Sequence, residues 1–381
     1  MTFAPIMVRL SSRIGCALVL RICLAGAAAS SLLIALSGSF YGVIAGRALA
    51  GVFAASVPVA QSGVTDILPR NQTALGLSQI SAATQLGVVV GPAASAIFQS
   101  AFAAAGLPTE QCLPAVFVLA AAFAAGVLLQ MALLERRCRG VASVVAELGT
   151  GEQATATDEA AASEAAAAVV EAAAAEQNRV AALRLAQPML RTITIIIGWT
   201  AVLSNSIYGL FAPRFLGFGQ PQLSATYSAA AALMIGTQLV FPRLVAKIGE
   251  HRACTLGILA AGAGIGGQAL LRVQPLHSLL YMTNRVGAAI ADTSTAALVA
   301  RSSVSRETRS HNLALLTSTR AAARIVSPLL SSRMFALSCG AAVAPGALPF
   351  VTAAGFAMAV TPLPMLLLRV EARAAESAKR S

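Results

Sequence analysis

The chain has 381 residues, of which 57% are hydrophobic and only 11% charged, with mean hydropathy +0.76. A soluble chain of this length carries roughly a quarter charged residues, so a soluble globular enzyme is excluded. The formal charge of +12 does not point to nucleic acid. Its Lys and Arg punctuate long apolar runs instead of forming a solvated basic face. The six cysteines are scattered, and with three histidines they form no metal-ligand spacing, so no metal and no cofactor is expected.

A bilayer core takes about 20 apolar helical residues. Ten such runs follow in chain order, near 17–37, 40–66, 75–102, 113–134, 190–212, 223–245, 253–271, 276–300, 311–337 and 343–368. The prediction is an all-α integral membrane protein. Four spans form an incomplete N-terminal bundle over 1–134, residues 135–189 a central loop, and six spans a C-terminal bundle over 190–369, with a tail at 370–381. The initial MTFAPIMVRLSSR holds too short an apolar stretch for a cleaved leader.

Most Lys and Arg fall on the side of the central loop, among them Arg9, Arg13, Arg136, Arg137, Arg243, Lys247, Arg252 and Arg309. By the positive-inside bias, both termini and the central loop are expected in the cytoplasm. The loop itself is acidic: residues 141–178 hold 15 alanines, seven of the chain's 15 acidic residues and no Lys or Arg. This composition reads as a solvated helix or a disordered tether between two bundles.

The sequence repeats itself. RLSSRIG (Arg9–Gly15) recurs as RLVAKIG (Arg243–Gly249), Arg47 aligns with Arg285, and Gly91-Pro92 aligns with Ser327-Pro328. The order is kept and the offset nearly constant, which implies two pseudo-symmetric bundles. The second copy has two spans where the first has only a short apolar stretch. Symmetry therefore leads us to expect a twelve-helix unit lacking its first helix and most of its second, a natural ten-span chain being the alternative.

These motifs resemble those of the major facilitator superfamily, and within it the drug:proton antiporter branch that includes tetracycline-efflux-like proteins. The loop motif G-x-L-a-D-R-x-G-R-R would fall on Val8 to Ala17, retaining Leu10, Arg13 and Gly15; its second copy keeps Leu244, Lys247, Gly249 and Arg252. The Asp positions hold Ser12 and Ala246, so the match is degenerate. A glycine at this place permits a sharp turn between antiparallel helices. By the family pattern, Arg13 would pair with Asp66 and latch one conformation, in cytoplasmic gating loops that also hold Arg9, Lys247 and Gly249; the plainer reading is that Arg9 and Arg13 are only topology charges. The antiporter pattern g-x-x-x-G-P-x-x-G-G appears as Gly87, Gly91 and Pro92, with Ser95 and Ala96 at the last two places. The resemblance implies that this segment seals against the opposite bundle; generic small-residue packing is the plainer reading.

A charge near the bilayer centre costs about 2.5–3.5 kcal/mol, so each needs a reason. Arg285 and Asp292 lie seven residues apart, about 10 Å along one helix face, suited to lining one polar cavity. Arg320 and Arg324 share a face by i,i+4 spacing, and either could reach Asp292. A structural ion pair that only fixes helix register is the competing reading. Arg47 matches a family arginine implicated in proton coupling, where it would tune a carboxylate; snorkelling to the membrane surface is the alternative. Gln61, Asn205 and Tyr208 are further candidates to face solute. Taken together, the sequence predicts alternating-access transport of a small solute by a non-enzymatic, monomeric membrane protein, with proton-coupled efflux by antiport the leading expectation. A facilitator or symporter on the same fold, and a non-transporting protein acting through its acidic loop, stand as alternatives.

Overall fold

The computed structural model describes residues 4–68, 72–148, 159–303 and 306–380. The side chains of 135–185, and those of Ser12, Pro92, Ala96 and Ser204, lie outside that description. Every described element is a helix: α1 (Ala4–Ile14), α2 (Cys16–Leu36), α3 (Phe40–Phe53), α4 (Ser56–Ile67), α5 (Thr73–Ala104), α6 (Thr109–Leu148), α7 (Glu159–Leu216), α8 (Gln220–Ile248), α9 (Glu250–Leu270), α10 (Gln274–Arg301), α11 (Arg306–Ser338), α12 (Leu348–Val360) and α13 (Leu363–Arg380). Each of the ten expected spans overlaps a helix, though 343–347 lie ahead of α12. Seven segments are long and apolar enough to cross a membrane: α2, α3 with α4, α6 from Pro114, α7 from Ala186, α8, α9, and α12 with α13. Large side chains such as Leu36, Phe40, Tyr41 and Phe123 stand exposed, as lipid-facing residues do.

Two expected spans are each split into a pair of helices, and proline accounts for both. At the α3–α4 break, Pro58 has no N–H to offer the carbonyl of Ala54, and Ala54 and Ala55 leave helical geometry. At the α12–α13 break, Pro362 and Pro364 remove two donors in succession, and the Thr361 N–H turns back to Met358 O at 3.2 Å. The central loop is helical over most of its described backbone, because α6 runs on to Leu148 and α7 begins at Glu159. The alanine-rich composition favours that outcome.

The internal repeat has a backbone signature. Gly15 caps α2 with φ 95°, ψ 143°, and Gly249 caps α9 with φ 81°, ψ 160°. Both angles lie in territory that side-chain-bearing residues avoid, so each copy turns through a glycine at the same place.

In the N-terminal half, α2 packs between α3, α4 and α6; in the C-terminal half, α7 lies against α11 and α13, and α9 against α10 and α12. The α9–α10 pair is the tightest. A Cβ at Gly257, Gly264 or Gly287 would come within 2.3–2.6 Å of a backbone nitrogen of the other helix. Asn284 adds a hydrogen bond from Nδ2 to Ala261 O at 2.8 Å. Such contact replaces hydrophobic transfer, which supplies little between helices already in lipid. The two halves meet through α1, α4 and α5 on one side and α8, α10 and α11 on the other.

Candidate functional site

Four of the described charges inside the C-terminal half converge on one place, while Arg333 stands exposed further along α11. Arg285 and Asp292 from α10, and Arg320 and Arg324 from α11, line a cavity of about 60 Å³ that Gln85 of α5 closes from the opposite half. Asp292 forms an ion pair with Arg320 Nη2, and their side chains are 38% and 16% exposed. Arg285 donates from Nη1 to Ala201 O on α7 at 3.0 Å. The α7 backbone approaches α11 here because Gly198 has no side chain; a Cβ on it would lie 3.3 Å from Ala323 Cβ and 3.7 Å from Arg320 Cγ. Three guanidinium groups surround one carboxylate, so the cavity carries excess positive charge in a setting of low dielectric.

Next to Asp292, three helices are tied by side chains that sequence reasoning did not single out. Thr293 donates to Gln238 Oε1 at 3.0 Å and lies 3.4 Å from Ser81 Oγ, while Gln238 Nε2 donates to Ala289 O at 3.1 Å. Ser81 belongs to α5, so the bonds link the two halves beside the charged cavity. The available signal was the presence of glutamines within apolar runs, at Gln85 and Gln238.

The remaining expected pathway residues are not brought to the cavity. Tyr208 is fully buried, with its ring 4.4 Å from that of Tyr281 and 5.4 Å from the imidazole of His277. It belongs to an aromatic core with Phe211, Phe335 and Phe350. Asn205 is exposed and accepts a hydrogen bond from Tyr281 Oη at 2.9 Å. Gln61 is buried on α4, and Arg47 is exposed on α3. None of these four lines the charged cavity.

A second polar site joins the halves at the end where α4 meets α11. Asp66 lies 3.7 Å from Arg309 Nη1, and the same nitrogen donates to Thr65 O at 2.6 Å. Glu250 pairs with Arg301 at 3.7 Å, and the four charged residues border a cavity of about 180 Å³. Arg9 reaches His311 Nδ1 at 3.3 Å. The expected partner of Asp66 is thereby corrected: Arg309 of α11 occupies that place, and Arg13 stands exposed, as does Lys247. The physical reason is position. Arg13 closes the short helix α1 and faces solvent, whereas Arg309 projects from the first turn of α11 directly onto α4.

Gly87 and Gly91 are exposed on α5, and a Cβ on either would meet nothing within 4 Å. At these two glycines no close approach is made in the conformation described. Among the described residues there is no cluster of three or more His, Cys, Asp or Glu able to hold a metal ion.

With that geometry in view, comparison with known proteins identifies the fold. Several solved structures share it. The human organic anion transporter MFSD10 (TETRAN) superposes with TM-score 0.67 at 20% identity, covering 95% of this chain and 80% of its own. The Escherichia coli fucose:proton symporter FucP gives TM-score 0.61 at 13% identity over 96% and 86%. The proton:xylose symporter XylE gives 0.67 at 13% over 94% and 82%. No curated protein sequence matches the chain. The family model for the Major Facilitator Superfamily matches residues 1–328. An all-helical multi-pass membrane protein with this match belongs to the Major Facilitator Superfamily, a family of transporters and not of enzymes.

Proposed function

We propose that the chain carries a small anionic solute across a membrane by alternating access, using the cavity of Arg285, Asp292, Arg320 and Arg324. The observation that carries this reading is the charge imbalance of that cavity. Three arginines beside one carboxylate, held between two helical halves, form a ready receptor for a carboxylate, sulfonate or phosphate group. A structural ion pair needs one arginine for one Asp; Arg285 is held by Ala201 O, and Arg324 is surplus to such a pair. The human fold relative is described as an organic anion transporter, in keeping with this chemistry.

Alternating access is supported by the two polar sites. The halves are latched at the Asp66–Arg309 end, while Gly87 and Gly91 face open space further along α5. That is the arrangement of a carrier closed on one side. The positive-inside bias puts the latch in the cytoplasm, with the central loop and both termini, and the carrier acts as a monomer. Coupling to protons is part of the proposal, with Asp292 the titrating group. Resemblance through Gly87, Gly91, Pro92 and Arg47 implies antiport, yet two solved proton symporters share the fold, so the fold alone is neutral about the sense of coupling.

The test is uptake into vesicles holding the purified full chain, with labelled ethanesulfonate, choline and xylose as anionic, cationic and neutral probes. Selective entry of ethanesulfonate, reduced at least tenfold by Arg285→Gln combined with Arg320→Gln, is the expected result. Entry of choline or xylose in its place would overturn the anion reading.

A further inference from the structure

A second hollow lies across the α7–α11 seam from the charged cavity. Ile195 and Trp199 of α7, with Thr319, Ala322, Val326 and Leu330 of α11, border a groove of about 390 Å³. On α11 these positions recur at spacings of three and four, so a single stripe of that helix forms the floor. The floor is hollow because Ala322 and the neighbouring Ala323 are small, while Ile195, Val326 and Leu330 raise the sides. The groove is distinct from the cavity of Arg285, Asp292, Arg320 and Arg324, whichever solute that cavity carries. The two are parted where Gly198 meets Ala323, a place at which a Cβ on the glycine would lie 3.3 Å from that of the alanine.

The lining selects an apolar occupant. Trp199 donates from Nε1 to Ser331 Oγ at 3.4 Å, and Ser327 Oγ donates to Trp199 O at 3.4 Å, so these polar groups are spent within the protein. No charged residue borders the groove, and an ion or a hydrogen-bonding solute would lose its hydration there with little return. Size decides which apolar occupant fits. From Thr319 to Leu330 the helix rises about 16 Å. Spread over that length, 390 Å³ leaves a channel about 5 Å across. A hydrocarbon chain, whose carbons pack about 4 Å from their neighbours, fits that width; a further helix, about 10 Å in diameter, does not. The rim is continuous with the lipid-facing surface: Ile195 is 44% exposed, Val326 57% and Leu330 42%, and Ile325 and Leu329 beside them are exposed as well.

We propose that this groove is a lipid site, holding one acyl chain of a bilayer phospholipid along α11. The bound chain supplies dispersion contacts over a stretch where the side chains of α7 and α11 leave a gap. Left unfilled, a hollow of this size would weaken the seam at Gly198 and Ala323, behind which Arg320 sits. Trp199 is the firm wall of the site. Besides its bond to Ser331, its ring lies 5.4 Å from that of Phe356 on α12, so a chain in the groove rests against an indole held from behind.

Trp199 is the single tryptophan of the chain, so its fluorescence reports the groove directly. The full chain is reconstituted in vesicles of dioleoyl phosphatidylcholine and, separately, of the same lipid with bromine added across its chain double bonds, which quenches indole on contact. The reading is the ratio of emission in the two. The native chain should be quenched about threefold, and Ala322→Phe, whose ring occupies the groove, by less than about 1.5-fold. Ala322 is exposed, so the larger side chain has room without disturbing the core. A reference chain carries Trp199→Phe with Phe123→Trp, which moves the sole tryptophan to an exposed position of α6. Its quenching should be strong and unaltered by Ala322→Phe, which shows that the variant is folded and in the bilayer. Equal quenching of Trp199 with and without Ala322→Phe would show that lipid reaches the indole by another face, and would overturn the proposal. No quenching of Trp199 in the native chain, with the reference quenched, would mean that protein covers the groove, and would overturn it too.

Discussion

Replacing Arg309 by Gln removes two bonds between α11 and the end of α4. The Asp66 side chain is 9% exposed and that of Arg309 19%, so the pair is largely buried at 3.7 Å. At an effective dielectric of 20 the direct attraction is about 4 kcal/mol, and desolvation of the two ions offsets part of it. The hydrogen bond to Thr65 O adds about 1.5 kcal/mol, being charge-assisted. A net loss of about 2 kcal/mol corresponds to a shift of roughly 30-fold in an equilibrium constant. Because the pair spans the two halves, the loss falls on the latched conformation alone. Ala300 is buried at the 180 Å³ cavity beside this pair, so a cysteine placed there reports its opening. In membranes, Ala300→Cys should react with a hydrophilic maleimide about 10- to 30-fold faster when Arg309→Gln is added, with the native cysteines read as background from the chain lacking Ala300→Cys. Reaction rates within twofold of each other would show that Asp66–Arg309 does not hold the halves together.

Three further outcomes are expected. Gly287→Ala forces a methyl to within 2.3 Å of Ala261 N and should cost about 3 kcal/mol, seen as a fall in Tm in detergent; Gly236→Ala, where a Cβ meets nothing within 4 Å, should leave Tm level or raise it. Thr293→Val loses the donor to Gln238 and should destabilise by about 1 kcal/mol, checked by thermal unfolding, whereas Thr192→Val, at an exposed hydroxyl bonded within its own helix, should leave Tm nearly unchanged. A Cβ at Gly91 meets nothing within 4 Å, so Gly91→Ala should leave Tm within about 2 °C of the parent while transport falls, if that glycine packs closely only after the halves exchange position.

The spans were legible because lipid demands unbroken apolar runs, and each of the ten meets a helix. Their internal breaks were less so. Pro58 and Pro362 were visible, but a proline in a membrane helix bends it or interrupts it according to what its neighbours supply. The duplicated turn was readable at Gly15 and Gly249, since few residues other than glycine hold those angles. Asp292 and Arg320 could be brought together from sequence because acidic residues inside spans are so few. Asp66 and Arg309 could not, as they lie 243 positions apart in separate halves, and the register of one half against the other is written in no local pattern. Tyr208 shows the limit of helical spacing. It shares a side of α7 with Asn205, one turn away, yet the neighbouring Tyr281 and His277 draw it into the aromatic core and leave Asn205 at the surface.

The backbone contact between α9 and α10 constrains how the C-terminal half can move. Two helices touching at Gly257, Gly264 and Gly287 interlock like teeth, and neither slides past the other without unmeshing all three. Arg285 and Asp292 ride on that interlocked pair, whereas Arg320 rides on α11, which packs chiefly against α7. The ion pair at the cavity thus joins a stiff jaw to a separate one. Breaking that ion pair would leave the stiff jaw unchanged and free the arginine side, so any opening of the site is expected to come from α11.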